Sequence, residues 1–410
     1  YRMLHNHGQL LIFVLTVTAC CSKASADHDE RLSRAQLLEW AELEVVAEIE
    51  AGNATAAAAS VVYGGEVLLA EHYGKFDPIK GLPMEAHHQF MIGSVSKTIS
   101  GLAIARLLDQ GLIGSLDDPA NRHMKRYQIP GAWGDQITIG HLLSHTSGMS
   151  SPGFGSAVGD QDQIPATPQY IQRKIPPIVR QPGRMCVYSN QGLALIGIIV
   201  EDVTGQRYDE YLKAAILQPL DMQDSAFEYD PTGSDTLVRA GVTDADKPNK
   251  PMVYAPITIN DPVIAPAGSL QVSARDMGHY MNAMLGYAPN VITPSMIDRQ
   301  RTHLFENHRA TNQLGTGVSG MAIFRDLWNG TELWSHGGLL SGFRSKMLIV
   351  PEIDLGIFVV FAGGTSPFYG RGGDPNKAID HLLADVLGPF GSLPPIEPVT
   401  DPDSIAGRYW

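Results

Sequence analysis

A lysine lies inside the apolar stretch "MIGSVSKTISGLAIARLLDQGLIG", residues 91 to 114, three positions after Ser94. Burying an ammonium group is unfavourable unless it is paired or loses its proton. Any fold for this chain must therefore give Lys97 a use. The leading Gly93 points to a strand-to-helix turn, and positions i and i+3 share a helix face, so Lys97 reaches the Ser94 hydroxyl. The helix N-terminus favours negative charge developing at Ser94. Ile99, Leu102 and Ala103 keep the amine poorly solvated, which lowers its pKa toward that of a usable base. With 26 serines and 11 lysines, composition alone yields roughly 0.7 Ser-x-x-Lys matches, so this single match needs support from other segments.

The surrounding pattern is α+β. Arg31 to Gly52 reads as an amphipathic helix ended by Gly. "AAAASVVYGGEVLLAEHYG" reads as two strands around a Gly64-Gly65 turn. From about residue 112 to 260, helices alternate with Pro- and Gly-containing connections, and Asn190 to Gly205 is the clearest of them. Ser273 is placed as an N-cap, with Asp276 completing a capping-box-like start. Beyond Gly315 the texture turns to β: "TGVSGMAIFRDL" and "ELWSHGG" flank an Asn329-Gly330 turn, and "RSKMLIV" and "LGIFVVFAGG" follow as buried strands. "NKAIDHLLADVLG" closes the domain as a helix. The expected architecture is an antiparallel sheet built from both ends of the chain and flanked by terminal helices. A mostly helical subdomain fills the middle, and the cleft between the two parts is the natural place for a site.

Net charge is −13 with no basic cluster, which argues against a nucleic-acid partner. Residues 1–26 read as a signal peptide: Arg2, the apolar run "LLIFVLTVTA", and the small residues "ASA" before Asp27. "VTAC" also fits a lipoprotein signal, in which Cys20 is acylated and the N-terminal lipid is the only membrane attachment. Export, to a periplasmic or extracellular compartment, follows from either. Cys186 is then the one cysteine of the mature chain, expected as a buried free thiol. Residues 27–390 form the expected domain. Residues 388 to 403 hold five prolines, and 391–410 read as a linker. The initial Tyr and the closing "SIAGRYW" suggest a fragment with more chain, and a further domain, beyond it.

Two more stretches supply the missing context. "QPGRMCVYSNQG" carries Tyr188-Ser189-Asn190, and "LWSHGGLLSGFRS" carries His336-Gly337-Gly338. Ser-x-x-Lys, Tyr-x-Asn and a Lys/His-x-Gly triplet in this order resemble the serine β-lactamase and penicillin-binding protein superfamily. The branch most similar is that of class C β-lactamases, D-alanyl-D-alanine carboxypeptidases and β-lactamase-like esterases. "ITIGHLLSHTSGM" and "APAGSLQVSARDM" are similar to this branch's connecting segments, and the resemblance spans about residues 35 to 390. It implies a β-lactamase/transpeptidase-like fold, Ser94 as nucleophile, Lys97 as its base and Tyr188 as the proton relay. It further implies substrate binding by Asn190, His336, Gly337 and Gly338, and an oxyanion hole from the backbone N–H groups of Ser94 and Leu339. It calls for no cofactor and no metal. β-Lactamases of this branch have Lys where His336 stands; the imidazole is mostly neutral near pH 7 and resembles the carboxypeptidase and esterase members. The expected function is thus an exported serine hydrolase acting on a small ester, peptide or β-lactam, as a carboxylesterase or D-Ala-D-Ala carboxypeptidase. A class C-like β-lactamase and a non-catalytic penicillin-binding sensor or scaffold are the alternatives.

Competing motifs are weak. His141 and His145 are spaced i, i+4, but Leu142 stands where a zinc protease needs Glu, so both are expected to be structural. No Gly-x-Ser-x-Gly elbow occurs. Trp334 is expected to pack within the sheet, and His87-His88 to be a polar pair without a ligand role.

Overall fold

The computed structural model describes residues 32–150, 157–158, 177–227, 234–244, 250–255, 259–260, 264–306, 318–365 and 372–390. The signal segment with Cys20 and the 391–410 linker lie outside the described residues. A nine-stranded sheet forms the centre. Its strands are β1 (Ala56–Tyr63), β2 (Glu66–Asp77), β3 (Leu82–Pro83), β4 (Phe305–Glu306), β5 (Val318–Ser319), β6 (Phe324–Trp328), β7 (Thr331–Leu340), β8 (Phe343–Val350) and β9 (Leu355–Ala362). The spatial order is β4-β5-β6-β7-β8-β9-β1-β2-β3, antiparallel throughout, so both ends of the sequence meet where β9 pairs with β1.

The register from Ala56 opposite Ala362 to Tyr63 opposite Leu355 buries every residue of both strands. Alternation divides their side chains between two cores. Ala57, Ala59, Val61, Ile357, Val359 and Phe361 face helix α1 (Arg34–Ala41) and the C-terminal helix, whose Leu37, Trp40, Ile379 and Leu383 complete that layer. The Trp40 indole N–H donates to the Ala378 carbonyl at 2.8 Å and ties the two terminal helices together. Ala56, Ala58, Val62, Phe358 and Val360 face the other core, shared with the middle of the chain. The sheet's inner face and the helical region thus form one continuous core rather than two separately packed bodies.

Two helices of that inner layer position the site: α2 (Ser96–Asp109) and α3 (Asn190–Thr204). α3 starts on the Ser189 hydroxyl, which accepts the Gly192 N–H, and ends at Gly205 with φ +72. Gly197 on α3 lets the Ala265–Gly268 turn close in; an added Cβ would fall 2.4 Å from the Pro266 ring. The middle region is not wholly helical, because Ala226–Phe227 pairs with Leu270–Val272, which also pairs with Phe90–Met91, and Gly241–Val242 pairs with Val253–Tyr254.

Local signals match the observed turns. Gly64 and Gly65 have φ +57 and +91, and Asn329 and Gly330 have φ +50 and +88, as tight hairpins require. The first helix runs on from α1 through a π-helical turn, Glu42–Val46, to Ala47–Glu50. Ser273 caps Ala274–Met284 by accepting the Asp276 N–H, but the box is not reciprocal: the Asp276 carboxylate accepts Asp224 N–H and Ser225 O–H instead. The single strand expected over 316–327 is two, β5 and β6. They reverse around Ala322 at φ +56, because Gly320 is pressed against the Gln300 carbonyl, 2.4 Å from where a Cβ would stand.

Candidate active site

Ser94 lies in a 3-10 turn, Gly93–Val95, that leads directly into α2. Gly93 adopts φ +51, and an added Cβ would stand 3.0 Å from the Leu339 backbone nitrogen. Only glycine satisfies both constraints, and its presence lets the β7 edge close over the serine turn. Gly338 has an equally firm reason: a Cβ there would fall 2.0 Å from the Ile92 carbonyl oxygen. The Ser345 hydroxyl, from β8, donates to that same oxygen at 2.7 Å. Gly337 is different: it is exposed, and the nearest atom to an added Cβ would be the Ser345 carbonyl oxygen at 3.7 Å. Gly338 therefore serves the packing of the strand on the serine turn, while at Gly337 an added Cβ would make only ordinary van der Waals contact, so packing does not require a glycine there.

The Lys97 amine is 2.8 Å from the Ser94 hydroxyl and donates to the Ala267 carbonyl at 2.5 Å. Its side chain is 0% exposed, and burial holds its pKa well below the ordinary lysine value. Among the described residues no carboxylate contributes to that shift, and desolvation by burial is its cause. α2 is fastened on both flanks. Ser100 donates to the Pro266 carbonyl at 2.7 Å, the Tyr280 hydroxyl donates to Thr98 at 2.9 Å, and the Gln300 amide donates to the Thr98 carbonyl at 2.6 Å.

Tyr188 places its ring 5.0 Å from the Lys97 amine and its hydroxyl in hydrogen-bond contact with Ser94. Its surroundings push the phenol pKa upward, the Ser94 contact opposing this only in part. Asn190, the first residue of α3, keeps its Oδ1 buried and without a partner among the described residues. The structure thus brings Ser94, Lys97, Tyr188 and the Leu339 N–H to one place, with Asn190 beside them. His336 joins them with its ring turned inward, 3% exposed, and its Nδ1 is 2.7 Å from the Gly337 carbonyl. Burial first, then the nearby Lys97, holds that imidazole well below its ordinary pKa.

Three contributors escape a motif reading. The Ala267 carbonyl comes from "APAGSL", where only the backbone acts. Phe324 packs on His336 with centroids 5.0 Å apart. His145 packs on Tyr188 with tilted rings whose centroids are 4.3 Å apart, and accepts the Ser189 N–H on Nδ1 at 3.2 Å. The signal for it is the His-Thr-Ser-Gly turn, where it takes φ +59. His141, by contrast, accepts the Thr138 N–H as part of a helix cap. Cys186 is a half-buried free thiol whose pKa is raised by burial. Trp334 is packed under the sheet and donates to Glu332 at 2.6 Å. His88 stacks on Phe76 at 4.0 Å and accepts the Glu85 N–H. Among the described residues, no group of three or more His, Cys, Asp or Glu side chains is disposed to hold a metal.

A family model described as Beta-lactamase matches residues 44–381. Beta-lactamase-like protein 2 of Dictyostelium discoideum is 28% identical over 306 residues, which are 73% of this chain and 54% of that protein. Protein flp of Staphylococcus aureus is 24% identical over 357 residues, 83% of this chain and 64% of the relative. The chain thus spans 54% to 64% of the length of these curated relatives. Among solved structures, the octameric penicillin-binding protein homologue from Pyrococcus abyssi superposes with a TM-score of 0.72 at 24% identity, covering 86% of this chain and 78% of that one. The D-amino acid amidase from Ochrobactrum anthropi gives 0.69 at 20% identity, over 86% and 99% of the two chains. The beta-lactamase/D-alanine carboxypeptidase from Yersinia pestis gives 0.68 at 19%, over 87% and 100%. At these identities the structural likeness establishes the fold.

Proposed function

Because the chain belongs to the beta-lactamase family, we propose that it is a serine hydrolase that forms an acyl-enzyme on Ser94 with an ester or amide substrate. The observation that carries this is the Ser94 hydroxyl 2.8 Å from a fully buried lysine amine, with no carboxylate behind it among the described residues. A neutral amine accepts the hydroxyl proton as the serine oxygen attacks the substrate carbonyl. The Ser94 and Leu339 N–H groups hold the oxyanion, which forms at the positive end of α2. Tyr188 then passes a proton to the leaving oxygen or nitrogen as its bond to the acyl carbon breaks. Water, deprotonated through the same tyrosine and lysine, releases the acid and restores Ser94. Asn190 and the Gly337–Gly338 edge bind the substrate, and the buried His336 ring that precedes that edge keeps it free of a fixed charge.

Esters and D-amino-acid amides are the proposed substrate class. The fold neighbours named as a D-amino acid amidase and a D-alanine carboxypeptidase support it. So does the neutral His336 in a slot where a fixed cation would draw a carboxylate. Export, with cleavage before Asp27 or acylation at Cys20, is proposed from the N-terminal apolar run. The test is steady-state turnover of p-nitrophenyl esters, D-Ala-D-Ala peptides and nitrocefin by the wild type and by Ser94→Ala. Turnover that survives in Ser94→Ala refutes the assignment. Stoichiometric acylation without turnover would instead indicate a penicillin-binding sensor.

A further inference from the structure

Two buried histidine rings stand behind Tyr188, and the acyl-transfer steps above use neither. His145 is 1% exposed and His336 is 3% exposed. Their ring centroids lie 4.3 and 6.2 Å from that of Tyr188, and 6.0 and 5.0 Å from that of Phe324. The backbone fixes one nitrogen of each. His145 Nδ1 accepts the Ser189 N–H at 3.2 Å, so the proton of the neutral ring sits on Nε2. His336 Nδ1 faces the Gly337 carbonyl oxygen at 2.7 Å, and a carbonyl only accepts, so there the proton sits on Nδ1 and Nε2 is an acceptor. Both Nε2 atoms are buried and have no partner among the described residues. Two rings packed on the same Tyr188 and Phe324 therefore carry one unused donor and one unused acceptor, and leaving both unmade is costly.

We propose that one bridging water accepts from His145 Nε2–H and donates to His336 Nε2, and that the two rings act as a positioning pair for Tyr188 and the oxyanion edge. His145 already grips the tyrosine segment twice, since its carbonyl accepts the Val187 N–H at 2.8 Å while its ring accepts the Ser189 N–H. His336 is continuous in β7 with Gly337, Gly338 and Leu339. A water bridge between the rings links these two segments. Lys97 faces both rings, and His336 also faces His145 and Lys346, so the charges around the pair oppose an imidazolium. A neutral wall of this kind also spares Lys97 a neighbouring positive charge.

The tautomers follow from geometry alone, whereas the kinetic effect rests on the proposed hydrolase activity. Two experiments on the full chain test them separately. In 15N spectra of histidine-labelled protein, assigned with His145→Gln and His336→Gln, the two rings should show opposite tautomers and no titration from pH 5 to 8. The same tautomer in both, or titration of either, overturns the pair. In a double-mutant cycle with p-nitrophenyl butyrate, His145→Phe and His336→Phe should each lower kcat by about tenfold with little change in KM, and the double variant should be no worse than either. His145→Gln, which retains a donor, should recover part of the loss. Multiplicative losses in the double variant overturn the coupling. If the Phe variants do not fold, the Gln variants and the wild-type spectra decide. Absence of any turnover in wild type, with opposite tautomers intact, would count against the hydrolase assignment and not against the pair.

Discussion

Lys97→Met separates what the buried amine costs the fold from what it does chemically. In the unfolded chain the lysine keeps its proton up to about pH 10.5, whereas burial makes the folded protein release it at a much lower pH. Between those two pH values the unfolded state binds one proton more, so wild-type stability rises with pH by about 1.4 kcal/mol per unit. Below the folded pKa the penalty is complete and flat, and above 10.5 it is gone. Methionine fits a similar space and carries no such pH dependence. It does remove the hydrogen bonds to Ser94 and the Ala267 carbonyl, a pH-independent loss of about 1 to 3 kcal/mol. The variant should therefore lose ester hydrolysis by roughly 100- to 10,000-fold. Its stability relative to wild type should fall steadily as pH rises through the window. Urea denaturation of both proteins at pH 7, 8, 9 and 10 measures this, because titrations shared by the two cancel in the difference. Parallel stability curves would mean that Lys97 is protonated in the folded protein and cannot serve as the base.

Gly93→Ala should lose about 1 to 2 kcal/mol of stability, because alanine is strained at φ +51, and should depress kcat more than KM by displacing Leu339. A thermally unchanged, fully active variant would contradict the role given to this glycine. Ser273→Ala should cost about 1 kcal/mol by removing the cap on the Asp276 N–H, read as a lower urea midpoint at unchanged slope. His145 is held at a pKa of about 3 and His336 well below 6.5, so both stay neutral as pH falls from 8 to 6. The ratio of nitrocefin to neutral-ester hydrolysis should then stay flat across that range. A rise toward pH 6 would show that an imidazolium forms in the site.

The residues that the structure gathers around Ser94 could be read from the chain where their relations are local. Ser94 and Lys97 meet because a 3-10 turn runs straight into the first turn of α2, and Tyr188 and Asn190 straddle the N-cap of α3. The hairpins at Gly64-Gly65 and Asn329-Gly330, and the apolar runs of β1 and β9, likewise follow from φ preferences and period-two burial within a few residues. What tertiary structure decided is everything that depends on which distant atoms come close. The Lys97 amine finds the Ala267 carbonyl 170 positions away, and the Ile92 carbonyl leaves no room for a side chain at Gly338. Gly320 against Gln300 turns one expected strand into two. His336, in sequence an imidazole near its ordinary pKa beside the substrate, becomes a buried neutral ring behind Tyr188. Sequence spacing determines which side chains one turn of backbone can bring together. Desolvation and close packing are sums over neighbours from the whole fold, so the charge state of Lys97 and the two histidines was settled only when the sheet, α2 and α3 closed around them.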